Sequence, residues 1–225
     1  SKSLKTALKM QHLSLIAVII SMSIIHTINC VNLECLYSDR NDYGYKCDVS
    51  SLRIVSKEDR EVLKVLGTHH PRRNDESVKF FDVIGKTVNF FPQNLHKFFP
   101  HLEILQIYGS NLREISGNDL REFGESLKVL WLSSNELEII EQNLFENTKN
   151  LEWVDFSYNK IKHVDARSFE NLSQLKSLAF DTNLCHSGNA VNDPTAVVPL
   201  VDKIEAKCID VVYAQKERQR FKGKL

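Results

Sequence analysis

One motif recurs five times along this chain, and such a recurrence restricts the fold more than composition does. LEILQIYGSNL starts at Leu102, LKVLWLSSNEL at Leu127, LEWVDFSYNKI at Leu151 and LKSLAFDTNLC at Leu175, at intervals of 25, 24 and 24 residues. A degenerate copy, VKFFDVIGKTV, starts at Val78, 24 residues ahead of its neighbour. The shared pattern is L-x-x-L-x-L-x-x-N-x-L. Alternate side chains of a short strand point to one side, so positions one, four and six pack inward, as Leu130 and Leu132 illustrate. Asn135, Asn159 and Asn183 recur at position nine. A buried amide there satisfies backbone groups where the chain turns off the strand, which predicts an asparagine ladder from coil to coil. Ser110 and Lys86 replace asparagine in the two earlier copies, where less regular turns are expected.

The second half of each unit is periodic too. Ile115, Ile140 and Val164 stand at position fourteen and Leu120, Phe145 and Phe169 at position nineteen, lining the far side of the same core. Helical spacing fits this half poorly. One such unit cannot bury its apolar side alone, so the expected architecture is a stacked solenoid whose two ends need covers.

The flanks supply candidates. Upstream, YKCDVSSLRI (45–54) reads as a strand or hairpin, EVLKVLG as a second apolar segment ending at Gly67, and THHPRRNDES (68–77) as a loop. Downstream, Val197, Val201, Ile204 and Cys208 share one helical face, with Pro199 expected in the first turn of that helix. The expected organisation is a signal peptide over 1–30, an N-terminal cap and degenerate first coil over 31–77, repeats over 78–184, a C-terminal cap over 185–215 and a basic tail over 216–225.

Lys2, Lys5 and Lys9 precede the run LSLIAVIISMSII, which breaks at His26. That run is short for a membrane span, which takes about 20 apolar residues, and fits a secretory signal with no stable anchor in the mature chain. Met10 is an alternative start, with upstream sequence before it. Cleavage after Cys30, leaving Val31 first, would turn an odd count of five cysteines into four. Those four form two local pairs on either side of a cysteine-free stretch, which predicts the disulfides Cys35–Cys47 and Cys185–Cys208. Each closed loop contributes about 3 kcal/mol by restricting the unfolded chain.

Beyond residue 30 the chain carries 26 basic and 29 acidic side chains, a balance that gives no support to a nucleic-acid partner. His69 and His70 adjoin in a loop with no further ligands at metal spacing, so neither a metal nor a cofactor is expected. P-loop, G-x-S-x-G and H-E-x-x-H motifs are absent from the sequence, and the cysteines are better explained as staples than as nucleophiles. A non-enzymatic protein is expected.

With these motifs in place, residues 31–215 resemble extracellular leucine-rich-repeat proteins, and the two-cysteine ends resemble those of secreted arthropod members. The resemblance implies an α/β horseshoe, a curved right-handed solenoid with parallel strands on its concave face, used for recognition in innate immunity, adhesion or signalling. The commonest extracellular caps carry four cysteines, and this chain departs from them.

Strand alternation sends positions three, five and seven to the concave solvent side. Ligand-binding candidates there are Phe80, Tyr108, Trp131, Trp153 and Asp155, with Tyr158 at the edge. Tyr108, Trp131 and Trp153 step diagonally across neighbouring strands and are expected to form one aromatic surface, while Asp82, Asp155 and Asp181 add negative character. The expected partner is an extracellular protein, peptide or glycan; the alternative is a structural or adhesive protein that forms a homo-oligomer. Asn171 opens the only N-x-S/T sequon and falls on the convex half, away from those strands.

Overall fold

The computed structural model describes residues 30–40 and 42–209. The apolar run near the start and the basic tail over 216–225 lie outside the described residues. Cys30 is the first described residue, and its thiol is free.

In chain order the strands are β1 (Cys30–Arg40), β2 (Gly44–Ser51), β3 (Arg53–Ile54), β4 (Glu61–Leu66), β5 (Val78–Ile84), β6 (Thr87–Val88) and β7 (Ile104–Tyr108). The short helix α1 (Gly117–Leu120) follows, then β8 (Val129–Trp131), β9 (Ile139–Ile140), β10 (Trp153–Asp155), β11 (His163–Val164), β12 (Ser177–Ala179), β13 (Asn189–Ala190) and helix α2 (Pro194–Cys208). The five repeat strands, β5, β7, β8, β10 and β12, lie side by side and parallel in a nine-stranded sheet of order β13-β12-β10-β8-β7-β5-β2-β1-β4. The opposite side is built from turns and two-residue strands, with β9 paired to β11 and β3 to β6. Position nineteen lies in a turn, at the end of α1 or in a 3-10 turn (Leu95–Lys97), and a second 3-10 turn (Arg121–Phe123) follows α1, so the second halves carry only short helical turns and no extended helix.

Register follows from the leucine positions. Cys47, Phe81, Leu105, Leu130, Val154 and Leu178 stand opposite one another on successive strands, and all are fully buried. Each such side chain contributes roughly 1.5–3 kcal/mol by leaving water. The residues expected to line the far side, from Ile115 to Phe169, are buried as well. The asparagine ladder is continuous. The Leu132 carbonyl accepts hydrogen bonds from Asn135 Nδ2 at 3.0 Å and Asn159 Nδ2 at 2.9 Å, and the Phe156 carbonyl accepts from Asn159 and Asn183, both at 3.0 Å. Ser110 extends it by a hydroxyl, donating to the Tyr108 carbonyl and accepting from the Lys86 amide.

Position eight carries a constraint that the motif alone does not reveal. Gly85, Gly109, Ser134, Tyr158 and Thr182 occupy it in the five copies, and all have positive φ, between 56° and 63°. The left-handed conformation costs an L-residue roughly 1–2 kcal/mol, and a β-branched side chain fits it worst. Thr182→Gly is therefore expected to stabilise the protein by roughly 0.5–1 kcal/mol after the extra entropy of glycine is subtracted. Urea unfolding of the variant should show a raised midpoint; a lowered one would mean that the hydroxyl does something the backbone geometry hides.

Charges at position two alternate along the array: Lys79, Glu103, Lys128, Glu152 and Lys176. Glu103 is shared between Lys79 at 2.9 Å and Lys128 at 2.7 Å, and Glu152 pairs with Lys176 at 2.7 Å. Hydrogen bonds from Lys128 and Lys79 hold the Glu103 carboxyl below its usual range. Such exposed pairs contribute at most about 1 kcal/mol each, so they tune the stacking of coils that the buried row already fixes.

At the N-terminal end, β1 and β2 form an antiparallel hairpin joined by the expected Cys35–Cys47 disulfide, and β4 returns parallel to β1. Gly67 follows β4 with φ 140°, and a Cβ there would collide with the Cys35 carbonyl oxygen. His69 belongs to this packing: it stacks on Tyr37 and lies within 3.2 Å of the Tyr45 hydroxyl and 3.1 Å of Asp75. Burial, and then its hydrogen bond to Asp75, pushes the Tyr37 phenol far above its usual range.

At the other end, the Cys185–Cys208 disulfide ties α2 to the last repeat. Asp193 caps the helix and Pro194 takes its first position, so Pro199 falls inside the helix, a correction to its expected place in the first turn. The proline removes one backbone donor, and burial of Val197, Leu200, Ile204 and Cys208 together with the disulfide holds the helix regardless. Leu200 fills the face on which Val201 was expected, with Val201 half-buried beside it. Among the described residues no helix is long and apolar enough to cross a membrane.

Candidate ligand-binding face

The sheet face turned away from the leucine core is set out in rows by the strand register. One row runs Lys46, Phe80, Ile104, Val129, Trp153, Ser177; the next runs Asp48, Asp82, Gln106, Trp131, Asp155, Ala179. Trp131 and Trp153 are diagonal neighbours. Their rings meet edge to face at 5.2 Å, and both side chains are part-exposed. Trp131 also touches Phe80 and Tyr43, each at 6.0 Å. The cluster therefore extends from Trp153 through Trp131 to Phe80 and Tyr43.

Three expectations about this surface are corrected, at Phe80, Tyr108 and Asp82. Phe80 is only 3% exposed, because Tyr43 from the β1–β2 turn lies against its ring and the Lys46 ammonium sits 4.8 Å above it. It supports Trp131 from below and does not stand open to solvent. Tyr108 is 42% exposed but lies outside the ring cluster; its register partner is Ile84, also exposed, and the two form a separate apolar pair. Tyr158, 60% exposed, is likewise apart from the rings and is held outward by its left-handed backbone. Tyr43 could not have been found by periodicity, since it belongs to a hairpin turn outside the repeats.

Asp82, expected on the solvent side, is buried there with Lys46. Lys46 bridges Asp82 and, at 2.5 Å, Asp48. Burial opposes the Lys46 charge, but hydrogen bonds to Asp48 and Asp82 outweigh it and hold the ammonium above its usual pKa. Burial, more than the neighbouring Asp48, pushes the Asp82 carboxyl up against the pull of Lys46. One ammonium is thus shared by two carboxylates. Asp155 is part-exposed beside Trp131; its Oδ1 accepts the Ser157 amide at 2.8 Å. Among the described residues no group of three or more His, Cys, Asp or Glu side chains is arranged to hold a metal.

Asn171 lies half-buried in a turn of the side opposite this face. A chain made in a eukaryotic secretory host is expected to carry a glycan there and to lose mass on glycosidase treatment. An unchanged mass would remove the glycan while leaving the fold as described.

A parallel array in which each repeat adds one strand, with an aromatic and acidic face opposite a leucine core, defines a repeat protein. Residues 125–184, which hold the later copies of the motif, match the family model described as leucine rich repeat. No curated protein matches the chain. Among solved structures it is similar in part to a chain of the Toll–Spatzle complex, described as a hub in Drosophila development and innate immunity: 20% identity, TM-score 0.45, covering 56% of this chain and 17% of that one. It is similar to the same degree to a chain of the LRIM1/APL1C complex, with 20% identity and TM-score 0.45, covering 68% of this chain and 31% of that one. The chain thus spans less than a third of either.

Proposed function

We propose that this chain is a secreted, non-enzymatic recognition protein that binds an extracellular protein or peptide on the concave face of a curved leucine-rich-repeat solenoid, its ends closed by disulfide-stapled caps. The observation that carries this is the part-exposed Trp131–Trp153 pair, set on a rigid sheet on the side away from the core. Large rings held in place by strands lose little entropy on binding and are the residue type that dominates protein interfaces. Two disulfides accord with an oxidising compartment.

The test is capture of partners from extracellular fluid by the purified chain, repeated with Trp131→Ala and Trp153→Ala. Loss of the captured species with both variants, while each remains folded, supports a binding site on this face. Capture unaffected by either substitution places the function elsewhere.

A further inference from the structure

The charge of the open face narrows the class of partner, an inference that rests on the proposed function above. Among the described residues, the outward positions from β2 to the end of the β12 repeat motif carry four carboxylates, Asp48, Asp82, Asp155 and Asp181, against one cation, Lys46. Lys46 is already neutralised by Asp82 and Asp48, and its side chain is 9% exposed. The outward positions therefore offer an anionic ligand no unpaired cation, the lysines at the strand starts, Lys128 and Lys176, being held by Glu103 and Glu152, and a sulfated or phosphorylated partner would meet a net negative charge.

Asp155 stands opposite Trp131 on the adjacent strand, about 4.8 Å away across the sheet. Its Oδ1 accepts the Ser157 amide, and among the described residues no hydrogen bond or ion pair reaches its Oδ2. Asp181, one repeat further on, accepts a hydrogen bond from Asn189 at 2.7 Å through Oδ2 alone. A residue with one carboxylate oxygen unpaired among the described residues is thus the register partner, on the adjacent strand, of a part-exposed tryptophan. Aromatic faces attract cations, and guanidinium more often than ammonium. Arginine is planar and weakly hydrated, so it can stack on a ring while its N–H groups reach a carboxylate.

We propose that this face receives an arginine side chain of a protein partner, with the guanidinium against the Trp131–Trp153 pair and hydrogen-bonded to Asp155 Oδ2. The ligand class is a basic protein segment rather than an anionic glycan.

The experiment uses the whole chain and four short probes of the form acetyl-Xaa-Gly-Xaa amide, in which Xaa is arginine, lysine, citrulline or glutamate. The two tryptophans give two indole N–H resonances, which report binding at this site directly. The arginine probe should shift both, the citrulline probe should bind about tenfold more weakly, and the glutamate probe should not bind. Asp155→Asn should bring arginine down to the citrulline level while the indole signals of the free protein stay dispersed. The inference is overturned if citrulline binds as well as arginine, if Asp155→Asn leaves the arginine preference intact, or if the arginine probe moves neither indole. Equal binding of arginine and citrulline, lost in Trp131→Ala, would discard the guanidinium while leaving the aromatic face as the binding site. Partner capture that ignores both tryptophans would instead remove the proposed function itself.

Discussion

Asn135→Ala is expected to cost about 3 to 5 kcal/mol of folding stability, the largest effect of any polar substitution in this chain. The Asn135 amide accepts the Ser110 and Leu112 backbone N–H groups, each at 3.0 Å, and donates to the carbonyls of Ile107 at 2.6 Å and Leu132 at 3.0 Å. Alanine strands both donors inside the array, and each buried group left without a partner costs roughly 1–3 kcal/mol. The Leu132 carbonyl keeps one hydrogen bond, from Asn159, which limits the damage on that side. Asn183 provides the comparison: it is half-buried at the last turn and accepts only the Ile161 amide, at 3.1 Å. Asn183→Ala should therefore cost about 1 to 2 kcal/mol. Urea denaturation of both variants measures the gradient. Equal, small losses at the two positions would mean that water replaces the amide and that the ladder is not what holds the turns.

Trp131→Ala and Leu130→Ala are adjacent in sequence and should separate binding from folding. Leu130 is fully buried in the inward row, and its truncation leaves a cavity worth roughly 2–5 kcal/mol. Trp131 faces the other way. Its loss removes ring contacts with Trp153, Phe80 and Tyr43, which should cost folding roughly 1–2 kcal/mol. Affinity for a captured partner should fall by at least about 2 kcal/mol. Thermal unfolding and a titration of the partner decide the matter together. A Trp131→Ala protein as unstable as Leu130→Ala would make the rings part of the core; one that folds and binds normally would place recognition on another surface.

The two substitutions also mark what could be read in advance. Leu130 and Trp131 were assigned to opposite faces by alternation alone, because a strand has a period of two and the asparagine at position nine pins its phase. The same logic placed Asp155 outward, while recurrence at position fourteen placed Ile115, Ile140 and Val164 inward. It failed where a residue's surroundings come from outside its own repeat. Phe80 and Asp82 have outward positions, yet both are buried, because the β1–β2 hairpin lays Tyr43 and Lys46 over them. Tyr108 is outward and exposed, yet its ring is not part of the cluster, since Trp131 turns toward Phe80 and Tyr43. Pro199 was misplaced for a related reason: helix starts are set by a cap, and Asp193 with Pro194 supplied one earlier than the apolar spacing suggested.

The repeat, its register, the asparagine ladder and both disulfides were determined by the sequence itself, because each depends on spacing along the chain and every coil meets a near copy of itself. The composition of the open face was decided only by the tertiary structure. There the terminal hairpin, which follows no repeat, folds across the first repeat strands. It covers two of the outward residues, brings the face's one lysine already paired with Asp48 and Asp82, and leaves the tryptophan pair and Asp155 part-exposed, a result of contacts between segments that no local pattern encodes.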